Sequence, residues 1–531
     1  MNESIATLLP HIVLLIAAAI VFIAGQLRLG QVTGVLAIFG ILAAAGVLAV
    51  DFPSQAKQTA AVAQSNKADV EGSNYGPITK SVESTELAVG VQWTCLGIGW
   101  LFAIMGLGSE RTGAKFSLLL LLIAGCMYLA VARDLLGLFV GVELTGLVAY
   151  QFLKLGSTEK TPKSEQNADG NAVRRYVFHD LFASALLLNG LALFFGLAGS
   201  TDLQLAQRIL SVTYSPSNTD FAIGSASNLG VLAMLLIWTG LGAKIALVPF
   251  HLSTLDLAET NSSWNIGILT TLVKGSMILV LWKVVSQSMV GYRETAQLIG
   301  IVIALATMTM GNVLAFRETR LRPLLLHISI AHGGLILMAL AAGIGANDNT
   351  IRLLLPWSGL TGNQSMMFHL LVYSLTMAGL IGVLSFATQR HTDLQFVDDL
   401  SGLLKTEPWA AILAICFLLS LAGFPPFPGF WSKFSIMTAA LSVQLNSTPG
   451  ILPTPHPAFV LLCLAALANF VLAAAVSFRL ISVIAFDSPI AQPETSGGQP
   501  ALAASMLAAS VSLGFGILPG PIFWFLIDAV R

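Results

Sequence analysis

Six ionisable side chains stand where the neighbouring residues are almost all apolar: Glu143, Lys244, Lys274, His327, His332 and Lys433. Carboxylates, amines and imidazoles in a dry setting share one chemistry, the uptake and release of a proton. Thr239–His251, read TGLGAKIALVPFH, places Lys244 five residues before Pro249. A charge at bilayer depth costs ~2.5–3.5 kcal/mol on insertion scales, and proline leaves a carbonyl without its helical donor. Backbone freed in this way is tolerated in a membrane only inside protein or beside a water-filled cavity. A lysine next to a broken helix therefore points to a proton or ion site. The plainer alternative is a kinked helix whose lysine snorkels to the interface.

The other five are weighed in the same way. Glu143, in LLGLFVGVELTGLVAY, is an anion that could pair with Lys244; its alternative is a neutral core acid. Lys274, in NIGILTTLVKGSMILVLW, has apolar residues on both sides for two turns or more. Desolvation disfavours the charged form of any buried base, which suits a group that must hand a proton on. Lys433, in PPFPGFWSKF, follows Pro428 by five residues, as Lys244 precedes Pro249 by five. Two broken spans, each with a lysine at the break, fit an inverted-repeat transporter in which 116–286 pairs with 295–478. His327 and His332, in RPLLLHISIAHGGLIL, are five apart and so about 500° around a helix, not on one face. His332 is the relay candidate and His327 the secondary one; either could equally be a core histidine. Asp134, beside Arg133, reads as structural, and His369, Tyr373 and Asn469 are polar groups inside spans with no assigned role.

The elements that must hold these groups are membrane helices. The chain has 531 residues, of which 55% are hydrophobic and only 10% charged, and its mean hydropathy is +0.81. A soluble domain carries about 25% charged residues. Apolar runs near the ~20-residue crossing length predict an all-α polytopic protein of fourteen spans, with broken helices near 229–250 and 409–443, the latter around GFPPFPGF. Met1-Asn2-Glu3 lacks a basic n-region, so the first run is expected to be a retained span rather than a signal peptide. Fourteen lysines and arginines on one side against nine on the other place both termini outside. Polar intervals at 51–86, 156–171 and 492–500 read as loops. The expected division is 1–114 (N-terminal spans), 115–290 and 291–480 (two repeats), and 481–531 (the last span).

The composition also excludes. A net charge of −1 argues against nucleic acid or an anionic surface as partner. The four cysteines show no C-x-x-C spacing, which argues against an iron–sulfur or zinc site on this chain. There is no G-x-G-x-x-G after a strand, no Walker loop and no C-x-x-C-H, so nicotinamide, flavin, ATP and haem are not expected here.

Five stretches carry a resemblance to a known family: RDLLGLFVGVELTGLVAY, ASALLLNGLALFFGLAGSTDL, GLGAKIALVPFHLSTLD, GNVLAFRETRLRPLLLHISIAHGG and LSLAGFPPFPGFWSKF. Over roughly 115–480 the chain resembles the antiporter-like membrane subunits of proton-pumping NADH–quinone oxidoreductase (respiratory complex I). VPFHL, a lysine at 433, and no long amphipathic helix after the last span are the marks of its subunit N rather than of L or M.

The resemblance implies a membrane-arm subunit in the bacterial inner membrane, with other membrane and peripheral subunits as partners. It couples quinone reduction elsewhere in the complex to proton transfer across the bilayer. Glu143 would modulate Lys244, and a proton would pass through Lys274 and the histidine region to Lys433. NADH, FMN, iron–sulfur clusters and quinone would belong to other subunits, with no cofactor or metal on this chain. Two other readings stay open, a stand-alone or Mrp-type cation/proton antiporter and a non-pumping scaffold. The chain departs from the family pattern in STLDLAETNSSW, which keeps Asp256 but not the usual prolines, and at Pro323 and His327–Ile328.

Overall fold

In hydrocarbon a chain must satisfy its backbone from within, so the apolar runs become helices. The computed structural model describes residues 3–27, 32–50, 82, 85–107, 113–157, 166–213, 224–252, 254, 258, 261–288, 292–344, 360–390, 394–443, 456–489 and 498–529. Among these residues, 13 helices are long and apolar enough to cross a membrane. The first six are α1 (Glu3–Gln26), α2 (Val32–Val50), α3 (Glu86–Gly106), α4 (Gly113–Val131), α5 (Leu135–Ser157) and α6 (Gln166–Ala198). A surface helix, α7 (Leu203–Thr213), precedes α8 (Gly224–Ile245), α9 (Ser263–Ser286), α10 (Arg293–Arg317), α11 (Leu321–Gly343) and α12 (Gly362–Arg390). The expected broken span is a pair, α13 (Pro408–Ala422) and α14 (Pro428–Leu441), followed by α15 (Pro457–Phe486), α16 (Gln499–Ile517) and α17 (Gly520–Ala529). The described residues contain no strand, only isolated bridges such as Val82 to Ala132.

Helix ends follow local chemistry. Thr85 caps α3 by accepting from the Ala88 N–H at 3.1 Å. Proline opens α13, α14 and α15, where its missing N–H is not needed. Helix α13 stops at Gly423, whose φ of +87° suits glycine alone. A Cβ there would also lie 2.8 Å from Lys433 Cδ. Helix α8 ends at Ile245, and Ala246 then turns left-handed with φ +63°. The freed backbone finds partners inside the protein: Leu247 N donates to Gly242 O at 2.8 Å, and Val248 N to Thr307 Oγ1 at 3.3 Å. Asp134 is structural as expected, its Oδ1 accepting from Gly137 N at 2.8 Å at the start of α5.

The bundle has a protein-facing centre and a lipid-facing sheath. Helix α11 is buried along its whole crossing window (100%), and α9 and α12 nearly so (89% each); α6, α10 and α15 bury only 33–39%. Leu181, Leu298 and Val471 lie on the open faces of that sheath. Helices α10 and α11 interlock: a Cβ at Gly311 would strike the Ala331 backbone, and one at Gly334 the Met308 backbone.

Three details differ from the sequence reading. The last run is not one helix, because α16 ends at Ile517 and the chain turns through Pro519 into α17. Residues 166–171, expected in a polar loop, form the first turns of α6. Helix α9 contains one π-helical turn, Leu269–Val273, and runs out through a second, Lys283–Ser288. Most of the expected 51–86 loop, the interval 158–165, the interval 490–497 and Asp256 lie outside the described residues.

Candidate functional site

The carboxylate end comes first. Helix α5 carries Glu143, α6 carries Asp180 and the last turn of α8 carries Lys244. Lys244 Nζ lies 2.9 Å from Asp180 Oδ1 and 3.4 Å from Glu143 Oε1. The Ser184 hydroxyl on α6 lies 2.9 Å from both Glu143 Oε2 and the backbone carbonyl of Asp180, which links Glu143 to α6. Lys244 therefore has two counter-ions, where the sequence reading expected Glu143 alone. Asp180 was missed because FHDLF stands near the edge of its apolar run and 64 residues from Lys244.

Lys274 begins just after the first π-helical turn of α9. Its ammonium donates to the Ser329 carbonyl at 2.6 Å and lies 3.0 Å from the Ser329 hydroxyl, both on α11. A Cβ on the adjoining Gly333 would lie 2.9 Å from Nζ, so a side chain there would make the ammonium shift. Lys244 and Lys274 line one cavity, with Tyr176, Thr270, Ser329 and Ile330 in its wall. No carboxylate touches Lys274 within ion-pair distance among the described residues.

Beyond Ser329 the polar row continues through rings. His332 Nδ1 lies 3.1 Å from His369 Nε2, and His369 Nδ1 lies 3.0 Å from Ser432 Oγ. The Ser432 hydroxyl donates to Gly429 O at 3.0 Å, which leaves its oxygen able to accept from His369 Nδ1. The roles of the rings depend on their tautomers: with the proton of a neutral His369 on Nδ1, its Nε2 accepts from His332 Nδ1. Tyr373 stacks on His332 with ring centres 5.1 Å apart and shares the dry space beside Ser329 and Thr270. Lys433 follows Ser432 on α14 and donates to the Leu421 and Ala422 carbonyls at 2.6 and 2.9 Å. It thereby caps α13 across the break, with Phe470 of α15 4.9 Å from the ammonium.

The structure thus brings together Glu143, Lys244, Lys274, His332 and Lys433, and adds Asp180, His369, Ser329 and Ser432. His327 does not join the row. It is buried, neither ring nitrogen has a hydrogen-bond partner, and its charged neighbours are Glu318, His251 and Arg320 at one end of α11. Asn469 instead bonds Asn312 at 3.0 Å and Thr309 at 3.1 Å, joining α15 to α10. Burial alone does not mark a relay lysine. Lys283 is also buried, yet its ammonium caps the end of α4 through the Leu129, Ala130 and Ala132 carbonyls.

The model of the NADH:quinone oxidoreductase/Mrp antiporter transmembrane family matches residues 132–451, more than half of the chain and the whole of this row. The chain belongs to that family. A NADH-quinone oxidoreductase subunit N 1 of Sorangium cellulosum is 31% identical over 420 residues, covering 77% of this chain and 74% of that one. The subunit N 1 of Koribacter versatilis is 32% identical over 342 residues, and the match spans 64% of this chain but 61% of that one. The fold is shared more widely within and around the family. A chain of respiratory complex I from Thermus thermophilus superposes with TM-score 0.71 at 22% identity, covering 97% of this chain and 98% of that one. A chain of the Mrp complex from Dietzia does so at 0.73 and 21% identity, covering 100% and 97%. Among the described residues no group of three or more His, Cys, Asp or Glu could hold a metal ion.

Proposed function

We propose that this chain is the subunit N of a bacterial NADH–quinone oxidoreductase and carries protons across the inner membrane while quinone is reduced elsewhere in the complex. The observation that carries this reading is the row of buried proton-binding groups through the centre of the bundle, from Glu143 and Asp180 to Lys433. A scaffold has no use for such a row, because each buried polar group must be desolvated and then satisfied. The identity to the Sorangium relative supports the choice of subunit.

In this reading Asp180 and Glu143 hold the charge on Lys244. The proton moves through the cavity to Lys274, across Ser329 to His332 and His369, and by Ser432 to Lys433. The shared cavity gives the first step room for water, and the ordered imidazole–hydroxyl chain gives the last one a direction. Positions 115–290 and 291–480 act as two repeats with both termini outside, and the breaks at 246–249 and 423–427 sit one in each.

The test is proton pumping by the assembled complex in inverted membrane vesicles. Lys244→Ala and Lys433→Ala should each leave assembly and quinone reduction measurable while lowering the protons moved per electron pair. Two assembled variants pumping at the parental ratio would refute the relay. The family also contains Mrp antiporters. Transport that needs sodium and proceeds without quinone would favour that second reading.

A further inference from the structure

The face of α9 carrying Thr271, Leu272, Gly275 and Ser276 borders a second hollow, separate from the cavity of Lys244 and Lys274. It lies between α3, α9, α12 and α17 and is partly open to the outside. Apolar side chains, among them Leu87, Val91, Ile98, Met367, Leu371 and Leu526, dominate its wall, and no charged or amide side chain lines it. Of its four hydroxyls, three are engaged within their own helices and Ser374 of α12 is the fourth. Thr94 donates to Gly90 O at 2.9 Å, Thr271 to Gly267 O at 2.7 Å and Ser276 to Val273 O at 2.8 Å.

That lining decides the occupant. A buried water needs two to four polar partners, and the one hydroxyl this wall leaves uncommitted, Ser374, falls short of that. An empty hollow forfeits the dispersion contacts of every atom that lines it. A protein strand would bring amides that the wall cannot pair. Hydrocarbon is the solvent around these helices, and an alkyl chain is flexible and has no polar atom to satisfy. The rim supports its entry from the side: Val91, Leu370 and Leu371 are partly exposed, while Phe525 of α17 closes one end over Gly90, where a Cβ would lie 2.9 Å from the ring.

We propose that this hollow holds an acyl chain of a membrane lipid, which lies against the π-helical turn preceding Lys274 and keeps water off that face of α9. The lipid would be an integral part of the dry wall behind the relay rather than a passing neighbour.

The experiment uses the intact complex in phosphatidylcholine vesicles that contain a lipid with a diazirine near the end of one acyl chain. After irradiation, adducts are mapped by peptide mass spectrometry. The expected result is labelling of 94–98, 370–374 and 522–526 well above that of the open lipid faces at Leu181 and Val471. Leu371→Trp narrows the rim and should abolish the first set of adducts while leaving the second unchanged. Leu370→Phe, a smaller change at the same rim, should reduce it in case the tryptophan variant does not assemble. Labelling of the hollow no stronger than of the open faces overturns the proposal. So does its absence in the intact complex, which would assign the space to a neighbouring protein chain. Full labelling in an assembled Leu371→Trp variant overturns it too.

Discussion

The two-carboxylate arrangement around Lys244 makes a prediction that a single pair would not. At 2.9 and 3.4 Å, each acid attracts the ammonium by about 5 kcal/mol at an effective dielectric of ~20. The acids are 21% and 30% exposed while the lysine is 3% exposed, so solvent screens them substantially. What remains per carboxylate is ~1–2 kcal/mol, between the values for exposed and buried pairs. Asp180→Asn or Glu143→Gln alone should therefore lower coupled pumping about tenfold, since one anion still faces the lysine. Removing both leaves Lys244 with no counter-ion in a buried site. The double variant should fall below the product of the two single effects, by a coupling of ~1–3 kcal/mol. The assay is the initial rate of vesicle acidification at matched rates of quinone reduction, with assembly followed by gel electrophoresis of the intact complex. If the single effects simply multiply, the acids act on Lys244 independently and the shared-counter-ion argument fails. If Asp180→Asn pumps like the parent, Asp180 is structural.

Three further outcomes follow from the same structure. His332→Gln and His369→Gln interrupt the imidazole chain and should each cut pumping about a hundredfold, the scale of a lost proton-transfer group. His327→Gln should leave it within about twofold, and equal losses at all three positions would place His327 in the row. Gly423→Ala puts a side chain at φ +87° and a Cβ 2.8 Å from Lys433 Cδ, so it should destabilise the chain by about 1–2 kcal/mol; an unchanged thermal midpoint in detergent would contradict this. Deleting Lys57–Gly76, whose composition cannot build a core, should leave insertion and activity near parental, and failed assembly would show instead that the segment holds a partner.

The parts of this molecule that could be read from sequence are those whose signal is local. A proline beside a lysine in an apolar run marks a broken helix wherever it occurs, and both breaks were found that way, at Lys244 and at GFPPFPGF. What escaped depends on how one helix lies against another. Asp180 looked like a residue at the edge of a span, but α6 starts at Gln166, which puts Asp180 about four turns along it and against Lys244. His369 carried no signal until α12 was laid beside α11, where its ring meets His332. The π-helical turns of α9, LTTLV and KVVSQS, have no proline or glycine pair to announce them. His327, singled out beside His332, stayed apart because five residues turn it to another side of α11.

The interlock of α10 with α11 has a bearing on how such a machine can run. At Gly311 and Gly334 the two backbones have no side chain between them, so a side chain at either position would force the helices apart. Helix α11 carries both Ser329 and His332, the middle of the row. Transporters built on inverted repeats commonly open and close by rocking one half against the other. Both helices fall within the 291–480 repeat, so a rocking motion of that kind would carry them together as one body. In the relay proposed above, control of the step between Ser329 and His332 then falls to small parts: the swing of a lysine, the turn of an imidazole, the arrival or loss of a water file.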